Sequence, residues 1–472
     1  MKKFTLGIVL SSFVICMGSG IIDLRLLDNY VNQFIPSYIT LDNTNTNEIS
    51  DEVATLGRVL FYDTQLSVDN RTSCASCHKQ ELAFGDDDQV SFGSFGVTGR
   101  HSMRLVNARF SEEEKFFWDE RAATLEDQVT MPIQDAVEMG FSGEFGNPGF
   151  DELIIRLEEI DYYNTLFEFA FGDSQVTEER MQLALAQFVR SMQSFDTRYD
   201  EGRAGVENDT VPFPNFTEEE NLGKELFLNS VEFGSGGNRI AGGIGCANCH
   251  TAPEFSIIPN SRTNGVIVAA NGVEIDETVT RSPSLRDIFN PNGELNGGLM
   301  HNGFFTDFQQ VLDHYNDIEE STGIPNIVVD PRLKDGPNTQ KLNMTAEEMS
   351  SVTAFLKTLT GSDLYTNEKW SNPFDDNGQL EVLPNLTSTE EENLASLNIY
   401  PNPAVREINI DNAENIHKLS IVNADGQLIQ SVNPSNRSNI KLELSQYTPG
   451  IYIIIGQNEN SEAMLSEKFV KL

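Results

Sequence analysis

Two short motifs of the chain place paired thiols directly before a histidine. Each motif has two cysteines separated by two residues and followed at once by histidine, at Cys74, Cys77 and His78 and again at Cys246, Cys249 and His250. At this spacing, two thiols can add to the two vinyl groups of one haem while the histidine ligates the iron. The sequence therefore predicts two covalently bound c-type haems, in preference to two disulfides or a zinc site.

The first 20 residues have the character of a secretory signal peptide. Lys2 and Lys3 precede an apolar run over residues 4–17, and small residues follow at 18–20. The run is too short to cross a bilayer, and no later segment is apolar enough to do so. Removal of the signal would take Cys16 with it, so every remaining cysteine would belong to one of the two motifs.

The chain is strongly acidic. Its 72 aspartates and glutamates exceed its 32 lysines and arginines, which gives a formal charge of -40. The phosphates of nucleic acids and of anionic membranes would repel such a surface. We therefore expect no nucleic-acid partner and no membrane span, and we interpret the excess charge as a solvated acidic surface.

An internal repeat surrounds the two motifs. Residues 56–61 (Leu-Gly-Arg-Val-Leu-Phe) precede the first motif, and residues 222–227 (Leu-Gly-Lys-Glu-Leu-Phe) precede the second. A capping box at Thr217 starts a helix before the second motif. Apolar residues at helical spacing predict a further helix after each motif, over about 177–195 and from 345 to about 359. A helix before and a helix after each motif would together enclose a haem.

The repeat predicts a mostly α body that contains two cytochrome c-like domains. The first, over residues 21–205, would hold the haem of the Cys74 motif, and the second, over 206–370, the haem of the Cys246 motif. Residues 371–395 are polar and acidic and are predicted to form a linker. Short β segments separated by turn signals then predict a small C-terminal β-sandwich over 396–472. Its expected strands are 397–400, 408–410, 419–422, 428–432, 440–444, 451–455 and 469–472.

The C-terminal region resembles the type IX secretion sorting domains of Bacteroidetes proteins. The matching segments are 398–404 (Asn-Ile-Tyr-Pro-Asn-Pro-Ala), 425–426 (Asp-Gly), 449–452 (Pro-Gly-Ile-Tyr) and 467–472 (Glu-Lys-Phe-Val-Lys-Leu). The resemblance implies export through the periplasm by the type IX secretion machinery, followed by cleavage of the tail or anchoring at the cell surface. An ordinary β-sandwich binding module is the alternative.

The body, roughly residues 50–365, resembles the bacterial di-haem cytochrome c peroxidases and the related di-haem enzymes that mature methylamine dehydrogenase. Beyond the haem motifs, the matching segments are 117–121 (Phe-Trp-Asp-Glu-Arg), 125–128 (Leu-Glu-Asp-Gln), 131–133 (Met-Pro-Ile), 138–140 (Glu-Met-Gly), 282–286 (Ser-Pro-Ser-Leu-Arg) and 300–303 (Met-His-Asn-Gly). The resemblance implies a peroxidase that reduces hydrogen peroxide with electrons from a small redox protein or another donor. A maturation-type oxidase that modifies tyrosine or tryptophan of a partner protein is the second hypothesis, and a non-catalytic electron carrier is the third.

The resemblance also implies roles for individual residues. Glu138 would be the acid/base group above the first haem, Gln128 would orient the peroxide, and Trp118 would relay electrons between the haems. From the residues alone, Glu138 would be a surface charge and Trp118 a core aromatic residue. A pure electron carrier needs no distal acid such as Glu138, which argues against the third hypothesis.

The second axial ligand of the second haem is left open by the sequence. Peroxidases of this family usually have methionine fourteen residues after the histidine at position 301, whereas this chain has Tyr315, as the maturation enzymes do. A phenolate ligand lowers the reduction potential of haem iron, and a thioether raises it. Tyr315 is the expected ligand, with Met300 and His314 as alternatives.

Two further positions depart from the family pattern. Ser94 stands where many family peroxidases have a histidine that blocks the peroxide site, so the first haem is expected to be open without reductive activation. His101 stands where the family usually has an asparagine that helps bind calcium between the domains. Its replacement puts this calcium in doubt. His101 could ligate an iron or be a hydrogen-bonded structural histidine.

Electron paramagnetic resonance of the ferric protein is expected to show one high-spin and one low-spin haem. The open site would leave the first iron without a strong sixth ligand, whereas the second iron would have two protein ligands. Two low-spin signals would contradict an open first site. The low-spin signal would also help distinguish methionine from tyrosine ligation.

Overall fold

The computed structural model describes residues 20–44, 47–324, 328–384, 397–411, 413, 416–423, 428–434, 437–457 and 463–472. The predicted signal peptide, apart from residue 20, lies outside this range. The chain divides into two compact units, residues 1–384 and 385–472. Among the described helices, none is both long enough and apolar enough to cross a bilayer.

The first unit is built from short helices and long loops. Its α-helices are Asp51–Tyr62 (α1), Cys74–Cys77 (α2), Leu125–Val129 (α3), Met131–Gln134 (α4), Phe150–Glu158 (α5), Asp161–Phe171 (α6), Glu178–Ser191 (α7), Arg198–Ala204 (α8), Glu218–Leu228 (α9), Phe308–Asn316 (α10), Ile318–Thr322 (α11), Ala346–Lys357 (α12) and Asp363–Thr366 (α13). Single 3₁₀ turns lie at Thr64–Leu66, Gln80–Leu82, Ala108–Phe110, Ser235–Gly237, Cys246–Asn248, Pro331–Leu333 and Glu368–Trp370.

The strands of the first unit are short and pair two by two. They are Ile21–Asp23 (β1) with Glu381–Leu383 (β8), Val231–Phe233 (β2) with Arg239–Gly242 (β3), His250–Thr251 (β4) with Ser256–Ile257 (β5), and Lys334–Asp335 (β6) with Asn338–Thr339 (β7). Only the β1–β8 pair is parallel among these described pairs. Residues 229–307 form no α-helix, so this stretch departs from the mostly helical prediction. Its many glycines favour turns over helix.

The internal repeat corresponds to two equivalent helix crossings. Helix α1 packs against α7, and α9 packs against α12. The glycine of each repeat copy lies at the crossing: a Cβ added to Gly57 would overlap the carbonyl of Ala184, and one added to Gly223 would overlap the carbonyl of Ser351. The repeated glycine therefore lets two helix backbones approach closely in both halves of the body.

The repeated phenylalanine has an equivalent partner in each half. Phe61 contacts Phe188, and Phe227 contacts Phe355, with ring centroids 5.3 Å apart in both pairs. Each pair belongs to a separate hydrophobic core. The structure thus repeats one packing arrangement around each haem motif, while the domain boundary at 205/206 stays a prediction.

The segment after α12 returns to the first core. Leu364, Trp370 and Phe374 are buried there, and the Trp370 indole N–H donates to Ser191 Oγ at 3.1 Å. Strand β8 lies within the predicted linker, so residues 371–384 are part of the first unit. Polar composition did not reveal this because an edge strand with two partly exposed faces needs few apolar residues. The remaining linker residues up to 395 lie outside the described residues.

The second unit is rich in β-structure, as predicted. Its strands are Asn398–Tyr400 (β9), Glu407–Asp411 (β10), Lys418–Asn423 (β11), Leu428–Val432 (β12), Asn439–Glu443 (β13), Gly450–Gln457 (β14) and Ala463–Lys471 (β15). They form antiparallel sheets of order β13–β10–β9 and β12–β11–β14–β15. Both sheets contribute to one core, for example through Ile408 of β10 and Ile454 of β14. This shared core is the arrangement of a small β-sandwich.

Substituting Gly57 or Gly223 by alanine is expected to lower the free energy of unfolding by about 1–3 kcal/mol, because the added Cβ would force the crossing helices apart. Chemical denaturation of the two variants would measure the loss. Gly205→Ala is the control, since the nearest atom to its added Cβ is 3.5 Å away. Equal losses in all three variants would show that the close crossing is not the cause.

Candidate functional site

The first haem motif lines a cavity together with residues from both flanking helices. Cys74 and Cys77 begin and end the single-turn helix α2, and His78 follows as its C-terminal cap. All three residues face the cavity, which Leu185 and Val189 of α7 also line. Two thiols and an imidazole on one apolar cavity form a donor set that fits a covalently bound haem. We refer to this space as the first cavity.

The imidazole of His78 is held in the form that ligates a metal. Its Nδ1 lies 3.1 Å from the carbonyl oxygen of Phe84. Because a carbonyl can only accept, Nδ1 carries the proton and Nε2 keeps a free lone pair. Ala83 and Phe84 both have left-handed backbone conformations, with φ of 55° and 59°, which turn the chain back under His78. Burial lowers the pKa of His78 and so favours its neutral form.

Gln128 and Glu138 line the first cavity together with His78. Gln128 lies in α3, whose start is capped by the side chain of Thr124. Glu138 lies in the turn that follows α4, where Asp135 Oδ1 accepts from the backbone nitrogens of Val137 and Glu138 at 2.8 and 3.0 Å. The structure therefore brings the two side chains that the sequence analysis placed at this site to one cavity.

The pKa of the Glu138 carboxyl group is shifted towards neutral pH. Burial raises its pKa to about 7, with a further contribution from the negative charge of Asp135 and a smaller opposing effect of Arg121. A carboxyl group with a pKa near the working pH can both accept and donate a proton. Glu138 is thus suited to acid/base chemistry in the cavity.

The loop at Ser94 and Phe95, which lacks the histidine common in the family, supports Glu138. The backbone nitrogen of Ser94 donates to the carbonyl of Glu138 at 2.7 Å, and that of Phe95 donates to the carbonyl of Val137 at 3.1 Å. The Ser94 hydroxyl donates to Asp69 Oδ1 at 2.8 Å, so its side chain is used outside the cavity lining. Local sequence gave no signal for this support, because backbone donors carry no side-chain identity.

The second haem motif lines a second cavity. Cys246 and Cys249 bracket a 3₁₀ turn, His250 begins β4, and all three face the cavity. Val352 and Leu356 of α12 line it in the same way that α7 lines the first cavity. Burial lowers the pKa of His250 to about 4, and its Nδ1 is buried without a hydrogen-bond partner among the described residues. A neutral, buried imidazole beside two thiols fits a second haem.

Two of the three candidate second ligands face the second cavity. Tyr315 of α10 and Met300 both line it. The side-chain nitrogen of Asn264 lies 2.9 Å from Tyr315 Oη and 3.4 Å from Met300 Sδ, so one amide contacts both. Burial raises the pKa of the Tyr315 phenol.

The third candidate, His314, has a different environment. Its Nδ1 lies 2.8 Å from Ser321 Oγ, and its Nε2 lies 3.0 Å from the backbone oxygen of Asn264. It does not line the second cavity. Both ring nitrogens are therefore engaged in hydrogen bonds within the protein. His314 and Tyr315 differ in this way because residues i and i+1 of a helix point in different directions.

A thin wall separates the two cavities. The residues that line both are His101, Ser102, Met103, Arg104, Trp118 and Arg281. Trp118 donates from its indole nitrogen to the carbonyl of His101 at 2.8 Å, and its ring centroid lies 6.4 Å from that of His301. The backbone nitrogens of Thr280 and Arg281 donate to the Trp118 carbonyl at 2.9 and 3.1 Å. The indole is therefore fixed between the two cavities.

His101 is a hydrogen-bonded histidine in this wall. Its Nδ1 lies 3.0 Å from the carbonyl of Asp88 and 3.2 Å from that of Gln89. Among the described residues, the group of acidic side chains close enough together to hold a cation is Asp86, Asp87 and Asp88. Lys79 already pairs with the first two of these. A bound calcium stays a prediction.

Two family models match the chain. Residues 51–208 match the model described as di-haem cytochrome c peroxidase, and residues 398–471 match the secretion system C-terminal sorting domain. The first match includes the Cys74 motif, Trp118, Gln128 and Glu138.

Curated relatives cover most of the body. The chain is 27% identical over 327 residues to the methylamine utilization protein MauG of Methylophilus methylotrophus, which covers 68% of this chain and 85% of the relative. It is 24% identical over 322 residues to the cytochrome c551 peroxidase of Nitrosomonas europaea, covering 66% of this chain and 80% of the relative.

A solved structure of a MauG-like protein associated with microbial copper homeostasis is also similar. It has a TM-score of 0.56 and 27% identity, and the match covers 72% of this chain and 99% of that chain. The family models therefore show that residues 51–208 carry a di-haem cytochrome c peroxidase (MauG-like) domain and that residues 398–471 carry a type IX secretion C-terminal sorting domain.

Proposed function

We propose that the chain is an exported di-haem peroxidase that reduces hydrogen peroxide to water. The observation that carries this proposal is the convergence of His78, Gln128 and Glu138 on the first cavity. Peroxide cleavage needs an iron with an open position and a group that exchanges protons beside it. The raised pKa of Glu138, about 7, supports the second requirement.

Two haem c groups are part of the proposal. Thioether bonds to the cysteines of each motif would hold them, and His78 and His250 would ligate the irons. Bound haem would supply the iron that accepts peroxide and the electrons that reduce it.

The residues of the first cavity would manage the protons of this reaction. Reduction of one peroxide consumes two electrons and two protons and gives two waters. Ionised Glu138 would take a proton from one peroxide oxygen and return it to the other, so that the O–O bond breaks with water as the leaving group. Gln128 would orient the peroxide through its side-chain amide. The backbone donors at Ser94 and Phe95 would keep the Glu138 turn in place.

Electrons would enter at the second haem and reach the first through the wall. The fixed position of Trp118, in contact with both cavities, supports a relay role for its indole. The donor would be a small redox protein or another reductant. The sorting domain supports delivery by the type IX secretion machinery to the cell surface or the medium.

A maturation-type oxidase acting on tyrosine or tryptophan of a partner protein is the second candidate. Tyr315, rather than a methionine, occupies the position fourteen residues after His301 and faces the second cavity. Ligation by phenolate stabilises ferric iron and would support a highly oxidised di-haem state. The name of the MauG relative is consistent with this candidate. A non-catalytic electron carrier is disfavoured by the cavity that Glu138 and Gln128 line.

Glu138→Gln is expected to lower the turnover of hydrogen peroxide by about 10²–10⁴-fold, because an amide cannot shuttle the proton. In the wild type, turnover should rise with pH through about 7, since only the ionised carboxylate accepts the first proton. Steady-state peroxide consumption with a reduced artificial donor would measure both effects.

Two variants serve as controls for Glu138. Glu144→Gln changes an exposed carboxylate that lines neither cavity, so turnover should be unchanged. Asp135→Asn keeps the Oδ1 acceptor of the turn but removes a charge that raises the Glu138 pKa, so the pH profile should move to lower pH. Wild-type turnover in Glu138→Gln would refute the acid/base role.

Tyr315→Met is expected to raise the midpoint potential of the second haem, because a thioether favours ferrous iron more than a phenolate does. Spectroelectrochemistry with electron paramagnetic resonance would detect the change. The control is His314→Gln, which should leave the low-spin signal unchanged because His314 does not line the cavity. If His314→Gln changes that signal and Tyr315→Phe does not, Tyr315 is not the ligand.

A further inference from the structure

Arg104 and Arg281 are buried cations in the wall between the two cavities. Their side chains line both cavities, and the residues are only 8% and 6% exposed. Neither guanidinium forms an ion pair with a carboxylate in the part of the chain that the structure describes. By contrast, buried Arg286 pairs with Asp200, and buried Arg190 pairs with Glu126.

The hydrogen bonds of the two guanidinium groups are few and long, and Arg281 also lies over the Phe116 ring, with its Cζ 4.6 Å from the ring centroid. Arg104 donates to the carbonyl of Ser284 at 3.2 Å. Arg281 lies 3.4 Å from Met103 Sδ, from Ser111 Oγ and from the carbonyl of Glu113. The Nε atom of each arginine is buried without a hydrogen-bond partner among the described residues. Both groups therefore keep unused donors.

Burial of these charges is poorly compensated within the protein. Burial lowers the pKa of both arginines to about 10, against smaller opposing effects of Tyr365 and Asp287 on Arg104 and of acidic groups, Glu113 and Glu120, on Arg281. A buried charge without a partner is strongly unfavourable. Carboxylates are abundant in a chain with 72 acidic residues, so scarcity of partners is not the reason.

We propose that Arg104 and Arg281 bind the propionate carboxylates of the two haems. This inference rests on the proposed presence of a haem in each cavity. Guanidinium is the side chain best suited to bind carboxylate, because it offers paired N–H donors in one plane. Each haem carries two carboxylates that need a counter-charge when buried. The arginines lie where both cavities meet, so they can serve both haems.

The proposal has a consequence for electron transfer. A nearby positive charge favours the reduced form of a haem, because reduction adds a negative charge. Both arginines face both cavities, so they should raise the two midpoint potentials together. They would act as positioning and tuning residues beside Trp118 rather than as proton-transfer groups.

Spectroelectrochemical titration of the holoprotein tests this proposal. Arg104→Met and Arg281→Met should each lower both midpoint potentials, with a roughly tenfold rise in the ferric-to-ferrous ratio at fixed potential, or about 59 mV. Arg104→Lys and Arg281→Lys keep the charge and should recover most of the shift. If a methionine variant does not fold, the midpoint potentials of the lysine variants still test the proposal.

Arg190→Met is the matched control. It removes a buried arginine that lines neither cavity and has its own carboxylate partner, so thermal stability should fall while both potentials stay at wild-type values. Unchanged potentials in both methionine variants of the wall would overturn the proposal. An equal fall in Arg190→Met would overturn it as well, since the effect would then be general destabilisation.

A diffusible anion, rather than a haem propionate, is the alternative ligand for the two arginines. If propionates occupy the arginines, added inorganic phosphate should not change the wild-type potentials at constant ionic strength. A phosphate-dependent shift that disappears in Arg281→Met would assign the site to a free anion and overturn the proposal. Haem content and peroxide consumption, measured first, test the proposed function separately. A protein with two haems and full turnover but no arginine-dependent shift would refute this inference alone.

Discussion

The close helix crossings at Gly57 and Gly223 are the constraint on which both haem-binding segments depend. Each crossing brings a motif-flanking helix against the helix that lines the cavity, α1 against α7 and α9 against α12. The end of α9 in turn holds the second motif, since the nitrogen of Ile244 donates to the carbonyl of Leu226 at 2.8 Å. A side chain at either glycine would separate these helices and widen the cavity between them.

Burial around the cavities favours the neutral forms of the two motif histidines and of Glu138. It raises the pKa of Glu138 and lowers the pKa values of His78 and His250. Neutral imidazole is the form that ligates iron. A carboxyl group whose pKa is near 7 can both donate and accept a proton at neutral pH. The same burial cost applies to Arg104 and Arg281, which form no ion pair among the described residues, and this supports the proposal that haem propionates bind them.

The two cavities are lined by different polar side chains, although the helix packing around them is repeated. Only the first combines its histidine with Gln128 and Glu138, and only the second has Tyr315 and Met300. The repeat thus gives two cavities with similar walls, and residues outside the repeated helices, such as Gln128 of α3 and Tyr315 of α10, make them chemically different. Relatives named as peroxidase and as MauG both match this body, and the two proposed functions differ in the role that they give to Tyr315.

The sequence by itself determined the two haem motifs, the capped helices that begin at Thr217 and Thr345, and the C-terminal strands. These features depend on local spacing, capping and alternation, which neighbouring residues specify. Only the tertiary structure decided that His314 is hydrogen-bonded away from the cavity, that the loop at Ser94 supports Glu138, and that residues 371–384 return to the first core. Each of these depends on contacts between residues far apart in the chain, often through backbone groups, and such contacts leave no periodic signal in the sequence.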